Sequence, residues 1–258
     1  MSEIVANGVR LHVQRLGQGP PAVLFLHGLV MDNLSSFYFT LANPVAQQAE
    51  ALLFDLRGHG KSERPASGYA LGDFVADVGA VADRLSPDAP LHLVGNSFGG
   101  LLALAYAVSR PDRAASLVLI DGHVGLPGWT ETMTATLGLT GEARDRRIAE
   151  SFRHWLGRNS ERKSTRLAET ARALVEHTSL VADLRSSPAL TPQQLGAVGC
   201  PVLALYGERS DLRADAEALG GLLPRARLAV RGGCTHSLLW EATAWVRGEI
   251  LAWLAERR

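Results

Sequence analysis

The sequence predicts an α/β fold, a mostly parallel sheet with helices on both faces, and three observations predict it. Short, mainly apolar runs recur at Ala22–Leu26, which is continuous, and at Ala51–Asp55, Leu91–Gly95, Ser116–Ile120 and Pro201–Tyr206. Each has strand length, and mainly apolar character is what burial on both faces requires. Stretches with helical spacing separate the early runs, so the order is β-α-β-α-β, which implies parallel strands joined by right-handed crossovers. The third observation is Leu91–Gly100, L-H-L-V-G-N-S-F-G-G. It reads as a strand, a sharp turn and a helix, with Ser97 at the apex of a G-x-S-x-G pattern.

The elements follow in order. Ile4–Val13 alternates loosely around Asn7-Gly8, a hairpin signal. Ala22–Leu26 ends in His27-Gly28-Leu29. Leu34–Gln48 reads as a helix broken near Asn43-Pro44. Ala51–Asp55 runs into D-L-R-G-H-G-K-S, residues 55–62. This cluster has a catalytic look, but a glycine-dense loop needs side-chain hydrogen bonds to hold it, and Asp55 and Arg57 can supply them. Asp73–Leu85 puts Phe74, Val78, Val81 and Leu85 on one helical face. The elbow and its helix Leu101–Ala107 come next. Ser116–Ile120 then ends at Asp121. From 123 to 195 the chain has helical stretches and no buried strand, which predicts a helical lid inserted into a core of 1–122 and 196–258. Arg144, Arg146, Arg147, Arg153, Arg158, Arg162, Arg166 and Arg172 gather there, with Trp129 and Trp155. They are expected to form a solvated helix surface, the alternative being an anchor for an anionic substrate group or an acyl carrier protein. Pro201–Tyr206 resumes the sheet, Ala214–Leu223 is a helix, Arg227–Val230 a last strand, and Trp240–Ala255 an amphipathic helix.

Composition narrows the class. The chain has 258 residues, 47% hydrophobic and 20% charged, which is ordinary for a globular protein with a sizeable core. Acidic and basic residues balance at 26 each, so no global field favours nucleic acid or an anionic membrane. No apolar run reaches a membrane span, and MSEIVANGVR lacks the features of a signal peptide. A cytoplasmic location is expected. Cys200 and Cys234 suggest neither a metal site nor a disulfide framework. No motif calls for a metal or nucleotide cofactor.

A serine is a weak nucleophile at neutral pH and needs a base within hydrogen-bond reach, itself oriented by a third group. An acid after one strand and a histidine after the next would share the sheet edge with the elbow. That selects Asp211 and His236, with Asp121 in reserve and Glu208 behind it. The backbone N–H groups of Phe98, at a helix N-terminus, and of Leu29 are the expected oxyanion donors. His27, Asn96 and Trp129 are placed at the substrate site, with the His27 imidazole expected to shape its loop rather than do chemistry.

Through His27-Gly28, Asp55–Ser62, Gly95–Gly99, Tyr206–Asp211 and His236, the chain resembles the α/β-hydrolase superfamily over essentially its whole length. The resemblance implies an eight-stranded, mostly parallel sheet and a serine hydrolase acting on a small-molecule ester, lactone or thioester. Ser97 stands where epoxide hydrolases and haloalkane dehalogenases carry an aspartate. Many members read Gly-x-x-Asp at the acid, and here that spacing falls on Ser210. G-N-S-F-G resembles the elbow of meta-cleavage-product hydrolases, which break carbon–carbon bonds, but their H-G-x-G-P-G loop is replaced by H-G-L-V-M-D and their tryptophan after the catalytic histidine by Ser237. A carbon–carbon hydrolase, a cofactor-free lyase or cyclase, and a binding protein on the same scaffold remain the competing readings.

Overall fold

The structure, a computed structural model, describes residues 2–30, 32–139 and 161–257. Its eight strands are β1 (Ser2–Ala6), β2 (Val9–Leu16), β3 (Ala22–Leu26), β4 (Glu50–Phe54), β5 (Leu91–Asn96), β6 (Ala114–Ile120), β7 (Val202–Gly207) and β8 (Ala226–Arg231). They form one sheet in the order β1-β2-β4-β3-β5-β6-β7-β8. β2 pairs antiparallel with β1 and β4, and every other pairing is parallel. Asn7 and Gly8 both take left-handed backbone in the β1–β2 turn, the geometry that matches the twist of a hairpin.

Alternation along the strands sends side chains to two cores. Leu24, Leu26, Leu52, Phe54, Leu91 and Leu93 face one side, with α1 (Leu71–Leu85) and α2 (Phe98–Ser109). Val23, Phe25, Ala51, Leu53, Val94 and Val118 face the other, against the 35–45 segment and the C-terminal helix. This two-sided burial is why the strands read as mainly apolar runs.

The segment expected as one broken helix over 34–48 is instead a short composite. Ser35–Phe37 and Asn43–Val45 are α-helical, and Tyr38–Ala42 between them is a π-helical turn. Pro44 has no N–H to return to the preceding turn, so the regular ladder cannot run through it.

Between β6 and β7 the described residues form α3 (Trp129–Leu137), α4 (Glu161–Glu176), α5 (Leu180–Arg185) and α6 (Pro192–Gly196), and no strand. The later part of this interval is tied to the sheet core. Asp183 accepts hydrogen bonds from the Gly68 and Tyr69 N–H groups, and the Ser187 hydroxyl accepts from Leu71 N–H at the start of α1. Leu174, Leu180 and Leu184 are buried in the same cluster as α1 and α2. Arg172 is exposed, whereas Trp155 and the side chains of the seven arginines from Arg144 to Arg166 lie outside the described residues. After β7 come α7 (Arg213–Leu222), α8 (Leu238–Glu241) and α9 (Thr243–Ala255). Cys200 and Cys234 are free thiols. Among the described residues no helix is long and apolar enough to cross a membrane.

Candidate active site

The elbow is built by close backbone approach. Ser97 has φ +54° and ψ −116°, a strained conformation between β5 and α2. A Cβ on Gly95 would run into the Gly99 carbonyl, and one on Gly99 into the Leu26 carbonyl of β3. Only glycine permits this turn, so the pattern in the sequence is a steric requirement. The Ser97 N–H donates to Ile120 O at 3.0 Å, and His123 N–H donates to Ser97 O at 3.2 Å, which fastens the elbow to the end of β6.

The Ser97 hydroxyl lies 3.0 Å from His236 Nε2. The other ring nitrogen, Nδ1, lies 2.9 Å from Asp121 Oδ1. The acid beside the histidine is therefore Asp121, at the end of β6, and the expectation of Asp211 is corrected. The reason lies in the loop after β7. The chain turns at Gly207–Ser210, where Ser210 N–H donates to Gly207 O at 3.2 Å. That turn faces Ser210 inward, where its hydroxyl donates to Asp121 Oδ1, and leaves Asp211 exposed one residue on. The serine in the Gly-x-x-Asp position thus serves the aspartate on the neighbouring strand. Asp121 is fully buried, has φ +45°, and accepts Gly207 N–H at Oδ2 over 2.8 Å. With three donors converging on it, this carboxylate is held as an acceptor that keeps the proton of His236 on Nδ1 and the lone pair of Nε2 toward Ser97.

The loop after β3 lies across from the elbow. Gly28 N–H donates to Asp32 Oδ2 at 2.8 Å, and Val30 N–H to His59 Nε2 at 2.7 Å. The donors on either side of Leu29 are thus committed to side chains. Phe98 N–H, first in α2, has no intrahelical acceptor.

A family model described as alpha/beta hydrolase fold matches residues 21–243. The chain belongs to this family. A curated relative, the lipase LipV of Mycobacterium tuberculosis, is 38% identical over 121 residues, 46% of this chain and 44% of that protein. A 2-hydroxy-6-oxononadienedioate/2-hydroxy-6-oxononatrienedioate hydrolase of Paraburkholderia phymatum is 30% identical over 254 residues, 90% of this chain and 86% of that protein. Among solved structures, a meta-cleavage product hydrolase from Pseudomonas fluorescens IP01 superposes with a TM-score of 0.83 at 21% identity, covering 100% of this chain and 98% of that one. The chain spans less than half the length of the first curated relatives it matches.

In this α/β hydrolase the other predicted residues divide. His27 is packed into the loop after β3. It is fully buried, its Nε2 accepts Leu56 N–H at 2.9 Å, and its Nδ1 donates to Gly28 O at 2.7 Å, so it shapes the loop. Asn96 is half-buried beside Ser97, with its amide near Gly28. Trp129 is buried at the start of α3 within the hydrophobic core. Glu208 is exposed and accepts Gly233 N–H at 2.8 Å, stapling the loop before His236 instead of reaching it. The Asp55–Ser62 stretch is structural, as its glycine content suggests. Asp55 accepts Leu34 and Lys61 N–H at 2.9 Å each, and Arg57 forms a two-pronged buried pair with Asp77, 2.6 Å on each arm.

Three neighbours of the site were given no role from the sequence. Ser210 is one. Glu241 is the second: it accepts Thr235 N–H at 2.6 Å and the Thr235 hydroxyl at 2.8 Å, anchoring the residue before His236. The third is His123, whose ring meets that of His236 edge-on, centroids 6.0 Å apart. Burial, reinforced by His236, holds His123 down to about 4, against the pull of Asp211 and Asp121. Only the proximity of His123 to Asp121 could have flagged it.

Proposed function

We propose that this chain is a serine hydrolase that cleaves a small or medium ester, lactone or thioester through an acyl-enzyme on Ser97. The observation that carries the reading is the continuous relay Ser97 Oγ, His236 Nε2, His236 Nδ1, Asp121 Oδ1, with steps of 3.0 and 2.9 Å. Such a relay makes a hydroxyl nucleophilic at neutral pH. Ser97 Oγ attacks the substrate carbonyl as its proton passes to His236 Nε2. Asp121 stabilises the resulting imidazolium without taking its proton. The Phe98 and Leu29 N–H groups hold the oxyanion, each worth a factor of about 100–1000 in turnover. His236 returns the proton to the leaving group, and water, activated by the same imidazole, then releases the acid.

The test is intact-mass spectrometry after exposure to a fluorophosphonate, wild type beside Ser97→Ala. A single adduct on wild type alone supports an activated serine, and no adduct on folded wild type would refute it. A panel of p-nitrophenyl esters, lactones and acyl thioesters then ranks the acyl class. A second reading, hydrolysis of a carbon–carbon bond in a vinylogous diketone, is favoured by the G-N-S-F-G elbow and by the Paraburkholderia phymatum relative, which matches across most of both chains. Bleaching of a 2-hydroxy-6-oxo-dienoate chromophore, faster than any ester is turned over, would favour it.

A further inference from the structure

The oxyanion loop contains a strained residue that the serine chemistry alone does not account for. Val30 has φ +68°. For a β-branched side chain this left-handed conformation is a true outlier, and it persists only where the surroundings enforce it. The Val30 side chain is buried, and its N–H is held by His59 Nε2 at 2.7 Å. His59 belongs to another segment, the glycine-rich loop after β4. Its Nδ1 donates to Arg57 O at 2.8 Å, which leaves the lone pair on Nε2 for Val30. The ring is buried, and burial together with neighbouring His27 pushes its titration down to about 3, so it remains an acceptor. The latch is mutual. His27, from the β3 loop, accepts Leu56 N–H from the β4 loop, and the two rings lie 5.2 Å apart.

The geometry points to His59 as a positioning residue for the oxyanion hole: by holding the Val30 N–H in a strained left-handed turn, it directs the adjoining Leu29 N–H toward the oxygen that becomes charged at Ser97. The inference rests on the serine-hydrolase reading above. A misdirected donor loses more in the transition state than in the bound substrate, so the loss falls on kcat and not on KM.

The experiment compares His59→Leu, His59→Gln, Val30→Gly and His59→Leu/Val30→Gly with wild type. It reads kcat and KM on p-nitrophenyl butyrate, the rate of fluorophosphonate labelling, and the melting temperature. Leucine cannot accept the Val30 N–H, and His59→Leu is expected to lose about 10–100-fold in kcat and in labelling rate, with KM within about twofold. Glutamine can present an oxygen near the position of Nε2, and His59→Gln is expected to keep most of the activity. Glycine adopts left-handed backbone without strain, so the double variant is expected to recover at least about fivefold over His59→Leu. If His59→Leu gives no folded protein, His59→Asn, whose shorter side chain falls short of Val30, replaces it in both comparisons. Wild-type kcat in the leucine variant, equal damage in the glutamine variant, or no rescue by Val30→Gly would each overturn the inference. Absence of labelling in wild type would instead overturn the reading on which it rests.

Discussion

Replacing Asp121 by asparagine leaves the shape of the site intact and reverses the hydrogen bonds at the oxygen that faces His236, those of His236 Nδ1 and the Ser210 hydroxyl. Asp121 meets Gly207 N–H at Oδ2, and His236 Nδ1 and the Ser210 hydroxyl at Oδ1. Gly207 N–H can only donate, so the asparagine oxygen is drawn to it and the amide NH2 is turned toward His236. Nδ1 then becomes the acceptor, the ring proton moves to Nε2, and Nε2 faces Ser97 with no lone pair to take its proton. A histidine base locked in the wrong tautomer costs about 10,000-fold in turnover, or about 5.4 kcal/mol of transition-state stabilisation at 1.36 kcal/mol per decade. Asp211→Asn, on an exposed residue outside the relay, should change kcat by less than about threefold. Both variants are assayed at pH 8 on the best ester of the panel, with melting temperatures to establish that each is folded. The exchange Asp121→Ser/Ser210→Asp moves the carboxylate across the existing hydrogen bond and should regain at least about tenfold over Asp121→Asn. A thousandfold loss in Asp211→Asn with an active Asp121→Asn would refute the reasoning.

The remaining predictions concern acid stability and the buried ion pair. His59 and His123 are held neutral by burial, titrating near 3 and 4, whereas the unfolded chain takes up those protons near 6.5. Below about pH 6.5 the unfolded state binds more protons, so stability falls as pH drops toward 4; His123→Gln should flatten that fall in a series of melting temperatures, and an unchanged slope would count against it. Asp77→Asn should lower the unfolding free energy by about 3–5 kcal/mol in urea titrations, because Arg57 would be left charged and buried, with kcat of the folded fraction unchanged. A loss of kcat without loss of stability would return the Asp55–Ser62 stretch to the list of catalytic candidates.

The features that the sequence reveals by itself are those whose cause is local. A strand buried on both faces must be apolar at nearly every position, so β3 to β7 could be found without a partner strand. The elbow could be found because its glycines answer to clashes within a few residues, Gly95 against Gly99 above all. The loop over Asp55–Ser62 was legible as structural for a similar reason: its glycines demand supporting hydrogen bonds.

Tertiary structure decided what depended on direction. Asp121 and Asp211 both follow buried strands at the same sheet edge, and the expectation of an acid after one strand and the histidine after the next favours the second. Only the turn at Gly207–Ser210, together with the left-handed backbone at Asp121, brings one carboxylate to His236 and leaves the other exposed. The same holds for the histidines after β3 and β4. Each sits in a glycine-rich loop, and nothing local states that each accepts a backbone N–H from the other's loop. Strand identity is a property of what a segment must bury, which the residues carry with them. The roles of a carboxylate or an imidazole depend on which donor lies within 3 Å, and that is fixed only when distant segments pack.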